Sequence, residues 1–306
     1  DGEQIPVTRA NGVTTSLIMP GGGVISGSAA VMELDGWTYE DMTVKSQASM
    51  IVNWPSMRIS TSPFERRSED DQKKDRENSL KEIRNAFNDA KAYWLAKKAN
   101  KISKRDLRWE AMIPVLEKKM PVMVSADEMS QIEAAVSWAN EADVKLIIYG
   151  GTDAWRVTDL LKKNNVPVVV SGVLTLPARV YEAYDEAYIL SKKLSDAGVQ
   201  YCISANEIGN GDDRNVPYHA AMAVAYGLSA DEAMKAITIY PAKIFGVDNR
   251  IGSLEVGKDA TLIVTTGDPL DIRSNVEMEF IEGKKVDLHS RHTMLWEKYK
   301  EKYGKK

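Results

Sequence analysis

The stretch from Gly227 to Asp271, GLSADEAMKAITIYPAKIFGVDNRIGSLEVGKDATLIVTTGDPLD, joins two kinds of predicted structure. Ser229 and Glu232 have the spacing of a capping box, so a helix is predicted to begin there and to run to about Ile239. From Ile251 onward the pattern changes to short, turn-linked strands. The sequence therefore predicts an α/β body that gives way to a small β appendage.

One unit repeats in the residues before this stretch: an apolar run that ends in small or polar residues, followed by an amphipathic helix. The runs are mostly β-branched or aliphatic with little alternation, which is typical of parallel strands buried on both faces. They are Gly12–Met19, Ala48–Trp54, Pro121–Ala126, Lys145–Gly151, Val166–Gly172 and Val199–Ala205. This alternation predicts a parallel α/β fold, either a barrel or an open sheet.

The composition argues against a nucleic-acid-binding protein, a membrane-binding protein and a disulfide-stabilised protein. The 306 residues are 43% hydrophobic and carry a net charge of -4, so no basic surface for nucleic acid or an anionic membrane is expected. The single cysteine, Cys202, excludes an internal disulfide framework, and its apolar surroundings predict a small buried residue. The sequence opens on DGEQIPVTR, which we interpret as the middle of a gene product, so the compartment is left undecided.

The tail carries a specific resemblance. Tyr240-Pro241-Ala242 and the following GSLEVGKDAT, with Thr261 where Asp is usual, resemble the C-terminal motifs of the amidohydrolase superfamily, in particular its imidazolonepropionase-like branch. NGVTTSLIMPGGGVISG resembles the second barrel strand and its loop in the same branch. The resemblance implies a (β/α)8 TIM-like barrel, with its first strand missing from this sequence, and a small C-terminal β-sandwich appendage.

This resemblance divides the chain into three expected regions. Residues 1–250 would form the amidohydrolase-like barrel, 251–288 strands of the β-sandwich with a Glu-Gly turn, and 289–306 a charged C-terminal helix. The charged stretch Glu65–Asn78 is interpreted as a solvated insertion or the start of a helix.

The resemblance also implies one or two divalent metals, usually zinc, held by histidines, an aspartate and sometimes a carboxylated lysine at the strand ends. His219 falls in a predicted helix, and His289 and His292 fall in the tail. Where the family carries metal ligands, this chain has Ser125, Gly150 and Asn206. No cofactor is evident in the chain itself, and a metal is expected only if a preceding segment supplies ligands.

Candidate site residues follow from their positions at strand ends and, for Ser26, from the glycine-rich stretch PGGGVISGSA, which we interpret as a barrel loop close to the pocket. Asp127 and Glu207 are the candidate catalytic residues, because each is a carboxylate that could act as a general base. The candidate substrate-binding residues are Ser26, Asn53, Ser125, Gly150 and Asn206. In PVMVSADEM, residues 121–129, Ser125 and Glu128 also have capping-box spacing, which predicts a structural role for both.

Three functions stay open at this point. The first is hydrolysis of a non-peptide C–N bond, or of a dipeptide-like amide, in a small molecule by metal-activated water. The second is a catalytically inactive barrel that serves as a ligand-binding or scaffold protein. In the third, the chain is a fragment that needs a further segment, or a second copy in a homo-oligomer, to cover its open strand edges.

Overall fold

The computed structural model describes residues 2–102, 104–177, 179–205 and 212–304. The strands are β1 (Thr15–Ile18), β2 (Ile25–Glu33), β3 (Thr43–Asn53), β4 (Val122–Ala126), β5 (Leu146–Gly150), β6 (Val168–Ser171), β7 (Tyr201–Ser204), β8 (Leu262–Thr265), β9 (Val276–Ile281) and β10 (Lys284–Lys285). The α-helices are α1 (Gln4–Arg9), α2 (Tyr39–Met42), α3 (Glu69–Lys98), α4 (Leu107–Leu116), α5 (Met129–Ala142), α6 (Thr158–Lys163), α7 (Glu186–Asp196), α8 (Val216–Ala225), α9 (Ala230–Ile237), α10 (Ile239–Phe245) and α11 (Arg291–Tyr303). Among the described residues, no helix has both the length and the apolar composition needed to cross a membrane.

The described strands β1 to β7 form one sheet in sequence order. Neighbouring strands from β3 to β7 are parallel, which confirms the prediction for five of the six apolar runs. The run Gly12–Met19 does contain a strand, β1, but β1 and β2 pair antiparallel, as do β2 and β3. The prediction of an all-parallel sheet is therefore wrong at this edge, where short connections, one of which contains the four-residue helix α2, take the place of crossover helices.

The glycine-rich segment before β3 is also corrected. We expected PGGGVISGSA to be a loop, but Ile25–Glu33 is strand β2. Gly22 and Gly23, which both have positive φ, make the tight connection from β1. Buried and half-buried residues alternate from Ala29 to Glu33, as in a strand with one face packed. Ser26 thus lies on a strand paired with β3.

The two faces of the sheet pack against different partners. Val52, Val124 and Ile148 belong to a core that includes buried residues of the helices on the outer face. Their sequence neighbours point to the opposite face, where the side chains of β2 to β7 meet α10 through Phe245. This inner core makes the sheet a curled half-barrel, so the protein is a mixed α/β fold with a partial TIM-like barrel.

Cys202 lies in the inner core and is buried, as predicted. Burial raises the pKa of its thiol to about 12, which keeps it protonated and unreactive.

The long third helix confirms the interpretation of the charged stretch. Ser68 caps α3 by accepting a hydrogen bond from the backbone of Asp71, so the charges of the first turns begin a helix. Only Ile83, Phe87 and Ala90 of its described residues are buried, because the helix packs one face on the outer core, where Phe87 meets the Trp138 ring of α5.

The second sheet follows the half-barrel. Its described strands β8, β9 and β10 are antiparallel, and Glu282 and Gly283 form the predicted turn with positive φ at both residues. The helix predicted to reach about Ile239 ends at Ile237, and α10 follows it at once. Arg250 joins this sheet to the chain before it through ion pairs with Asp259 and Glu282, at 2.7 and 2.9 Å.

Glu279, on β9, gives a prediction for the pH dependence of stability. In the described part of the chain neither carboxylate oxygen has a hydrogen-bond partner, and burial raises its pKa to about 8 despite the nearby Arg9. A carboxyl group with a raised folded-state pKa stabilises the protein below its unfolded pKa, and this stability is lost as pH rises toward 8. We expect a loss of about 3 kcal/mol in unfolding free energy between pH 5 and 8.

Glu279→Gln, which cannot ionise, should have a flatter profile when urea unfolding is measured across that range. An unchanged slope in this variant would contradict the assignment, because the loss would then come from another group.

Candidate functional site

The carboxyl ends of the parallel strands bring three predicted residues together. Asn53 and Ser125 are direct neighbours in the β3–β4 register, and both lie on the inner face, two residues beyond Ile51 and Met123. The Asn53 side-chain amide donates to Ser26 Oγ at 3.1 Å, and Ser125 Oγ donates to Asn53 Oδ1 at 3.5 Å. Ser26, Asn53 and Ser125 therefore form one uncharged polar group, which we call the edge triad.

Gly150 and Asp127 form a second part of this edge. A Cβ atom on Gly150 would lie 2.5 Å from Asp127 Oδ1, and Gly150 has a φ of +96°. Glycine is needed there because the carboxylate passes too close for a side chain. Asp127 is exposed, and its Oδ1 accepts from the Thr152 hydroxyl at 2.8 Å. Asp127 is thus positioned at the rim, as predicted, and already has a hydrogen-bond donor.

The predicted capping box of PVMVSADEM is wrong. Strand β4 continues to Ala126, so Ser125 lies in the sheet, and the N-cap of α5 is Glu128. The side chain of Gln131 accepts from the backbone N–H groups of Asp127 and Glu128, both at 3.1 Å. Because Gln131, and not Ser125, accepts from the N–H of Glu128, the hydroxyl of Ser125 is left for the edge triad.

A buried ion-pair cluster, which was not predicted from the sequence, lies at the same edge. Arg179, after β6, donates to both oxygens of Asp153, after β5, at 2.8 and 2.6 Å, and it also pairs with Glu182. Asp153 Oδ2 accepts from the N–H of Met129, the first residue of α5. Burial opposes ionisation, but the hydrogen bonds from Arg179 and Met129 hold the pKa of Asp153 below its usual value. The cluster ties together three loops at the carboxyl edge.

His219 connects two further loops. It is fully buried in α8, which confirms the predicted helix, and burial lowers its pKa, so the ring is neutral. Its Nδ1 accepts from the backbone N–H of Leu174 at 3.1 Å, which places the ring proton on Nε2, 3.3 Å from Asp212 Oδ2. His289 and His292 lie in the tail, where they contact Asp287 and Arg214.

Two predicted residues cannot be placed. Asn206 and Glu207 lie in residues 206–211, outside the described residues. Their predicted roles in substrate binding and catalysis therefore stay predictions.

A cavity of about 800 Å³ lies between the inner face of the sheet, α10 and β1. Its walls are largely apolar, with Val169, Cys202 and Phe245 among them. Within the described residues, Asp213 is the one charged side chain that lines it. The pKa of Asp213 is raised, chiefly because its side chain is partly removed from water and also because the Asp212 carboxylate lies nearby. The cavity volume is in the range of small-molecule sites.

The donor atoms at the edge do not fit a zinc ion. Asn53 and Ser125 supply neutral oxygens and Gly150 supplies no side chain, whereas zinc favours imidazole, thiolate and carboxylate. In the described part of the chain, one cluster of carboxylates is close enough together to share a metal ion, and it consists of Glu33, Asp259 and Glu282. It lies where the second sheet meets β2, and Arg250 neutralises two of its members.

The fold and this edge define a class of protein. The amidohydrolase family model matches residues 44–288, so the chain belongs to the amidohydrolase family, a group of hydrolases. An amidohydrolase structure from Thermotoga maritima MSB8 is similar over 93% of this chain and 74% of its own, with 28% identity and a TM-score of 0.80.

Curated relatives agree with this assignment. The amidohydrolase tasK of Hapsidospora irregularis is 25% identical over 92% of this chain, and the imidazolonepropionase of Thermoplasma acidophilum is 32% identical over 41% of it. The matches span 31% and 28% of those two proteins, so the chain corresponds to about a third of the curated relatives it matches. The predicted superfamily and its imidazolonepropionase-like branch are confirmed.

The ion-pair cluster gives a prediction with a built-in control. Arg179→Met leaves the buried Asp153 without its main partner, so we expect a loss of about 3 kcal/mol in unfolding free energy. Arg156 also approaches Asp153, at 3.3 Å, but its side chain is 39% exposed. Arg156→Met should therefore cost less than about 1 kcal/mol in the same urea titration. Equal losses for the two variants would show that the cluster is not the dominant tie between the loops.

Proposed function

We propose that this protein binds an amide-containing small molecule at the carboxyl edge of its half-barrel, and that it does so without a metal held by the described residues. The observation that carries the proposal is the edge triad, a set of neutral hydrogen-bonding groups in which Ser125 stands where the family resemblance implies a metal ligand. The cavity of about 800 Å³ on the inner face supplies apolar volume of the size that small-molecule sites need, but none of the triad residues lines it.

The hydrogen bonds within the triad indicate what the ligand would contact. Ser26 Oγ accepts from Asn53, so its own hydroxyl hydrogen remains to donate, for example to a carbonyl oxygen. Ser125 Oγ donates to Asn53, so its lone pairs remain to accept, for example from an N–H group. A donor beside an acceptor matches the two polar atoms of an amide.

A second candidate function is hydrolysis of a non-peptide C–N bond by metal-activated water. Family membership over residues 44–288 favours it. In the family a metal supplies Lewis-acid activation of water, but the donors at this edge do not fit one, so its ligands would have to come from outside the described residues. Under this candidate Asp127, at the rim beside Gly150, is the proposed general base, with Glu207 as the other predicted carboxylate.

Under either candidate function, the open edges of the half-barrel need to be covered. In the described residues the curled sheet ends at β1 and β7, and edges of this kind pair readily with another strand. We propose that a further segment or a second copy of the chain covers these edges and completes the (β/α)8 barrel. The β-sandwich predicted around β8, β9 and β10 belongs to the same proposal.

Binding of benzamide and hydantoin, measured by saturation-transfer NMR on the full chain, tests the primary proposal. We expect both amides to bind and the double variant Ser26→Ala, Ser125→Ala to bind about tenfold more weakly, because both contacts with the amide are removed. Ser130→Ala, an exposed serine on α5, is the matched control and should bind normally.

Equal affinity in the double variant would overturn the proposed site. Hydrolysis of hydantoin that appears only after zinc is added would instead favour the second candidate.

A further inference from the structure

Within the described residues, the C-terminal helix α11 has few partners, chiefly α1 and Arg214, whose side chain contacts His292. Among residues 291–303, all of which are described, Thr293 is half-buried and every other residue is exposed. A helix of 13 residues is only marginally stable in water by itself, because so few hydrogen bonds must offset the cost of nucleation. A surface that covers one face of α11 would therefore stabilise it.

One face of α11 is apolar and aromatic. Leu295, Tyr299 and Tyr303 are spaced by four residues, and Trp296 lies beside them, so the four side chains form a single stripe. Their exposed fractions are 38% for Leu295, 48% for Tyr299, 68% for Tyr303 and 61% for Trp296. We call these four residues the aromatic stripe.

Lysines border the stripe. The ammonium group of Lys300 lies 4.3 Å from the centroid of the Trp296 ring, and that of Lys302 lies 5.0 Å from the centroid of the Tyr303 ring. Residues 291–306 contain six basic and two acidic residues, a formal charge of +4 in a chain whose total is -4. The low overall charge thus conceals a basic, aromatic C-terminus, which composition alone did not reveal.

We propose that α11 docks on an anionic membrane surface, lying in the plane of the interface with the aromatic stripe toward the acyl chains. Tryptophan and tyrosine favour the headgroup region, and lysines at the borders of an apolar face can extend to anionic headgroups. The proposal goes beyond the proposed function, because it concerns a surface outside the half-barrel.

A second copy of the chain fits this face less well. A 13-residue helix is about 20 Å long, so one face offers on the order of 200 Å², well below the roughly 800 Å² per partner of a stable interface. Two such faces packed together would also bring their bordering lysines close to each other, and like charges repel.

Co-sedimentation of the full chain with vesicles tests the proposal. We expect binding to phosphatidylcholine vesicles that contain about 30% phosphatidylserine, little binding to phosphatidylcholine alone, and weakening by salt. Trp296→Ser and the triple change of Lys298, Lys300 and Lys302 to Gln should each reduce binding about tenfold. Trp37→Ser is the matched control, since Trp37 is 98% exposed elsewhere in the chain, and it should bind as the unchanged protein does.

Absence of binding to the anionic vesicles would overturn the proposal, as would equal losses in Trp296→Ser and Trp37→Ser. A vesicle-free dimer that Trp296→Ser abolishes would assign the stripe to a second copy. Tighter binding to a fluorescent oligothymidine than to the vesicles would assign it to single-stranded nucleic acid.

Discussion

The structure depends on the need to cover both faces of the parallel strands β3 to β7. Their apolar runs leave no face suited to water, so helices cover the outside and α10 covers the inside through Ala242 and Phe245. The inner contact gives the sheet its half-barrel form. It also fixes which residues at the strand ends face inward, because side chains alternate along each strand.

That alternation decides the chemistry of the carboxyl edge. Asn53 and Ser125 face inward, and together with Ser26 they form the uncharged edge triad. The strong charges near this edge belong to the Arg179 cluster, whose ion pairs hold loops in place. Charge at this edge is therefore used largely for structure, and apart from the exposed Asp127 carboxylate at the rim the polar groups left for a ligand are uncharged.

Much of the fold could be predicted from the sequence, and the failures have physical causes. Buried parallel strands give continuous apolar runs, which made β3 to β7 visible, and the C-terminal motifs identified the family. Strand β2 was missed because glycines and serines dominate its first half, which resembles a loop. The capping box formed by Glu128 and Gln131 was missed because it overlaps the S-x-x-E spacing of Ser125 and Glu128. The length of β4, fixed by pairing with β5, selects between the two.

The site was predictable in part. Asn53 and Ser125 were predicted from their places at strand ends and Ser26 from the glycine-rich loop, but the sequence does not show that they hydrogen-bond to one another. The Arg179–Asp153 pair joins residues 26 positions apart. The sequence signal for this pair is that two opposite charges follow two adjacent strands. Many surface charges in the chain show the same pattern, so the signal does not single out this pair.

The central claim is that uncharged groups have replaced the metal ligands of this amidohydrolase-family barrel. Zinc content measured by mass spectrometry, after the full chain has been incubated with zinc and desalted, tests this claim most directly. The account predicts less than about 0.1 zinc per chain, because neutral hydroxyl and amide oxygens bind zinc poorly. About one zinc per chain, lost on Ser125→Ala, would contradict it.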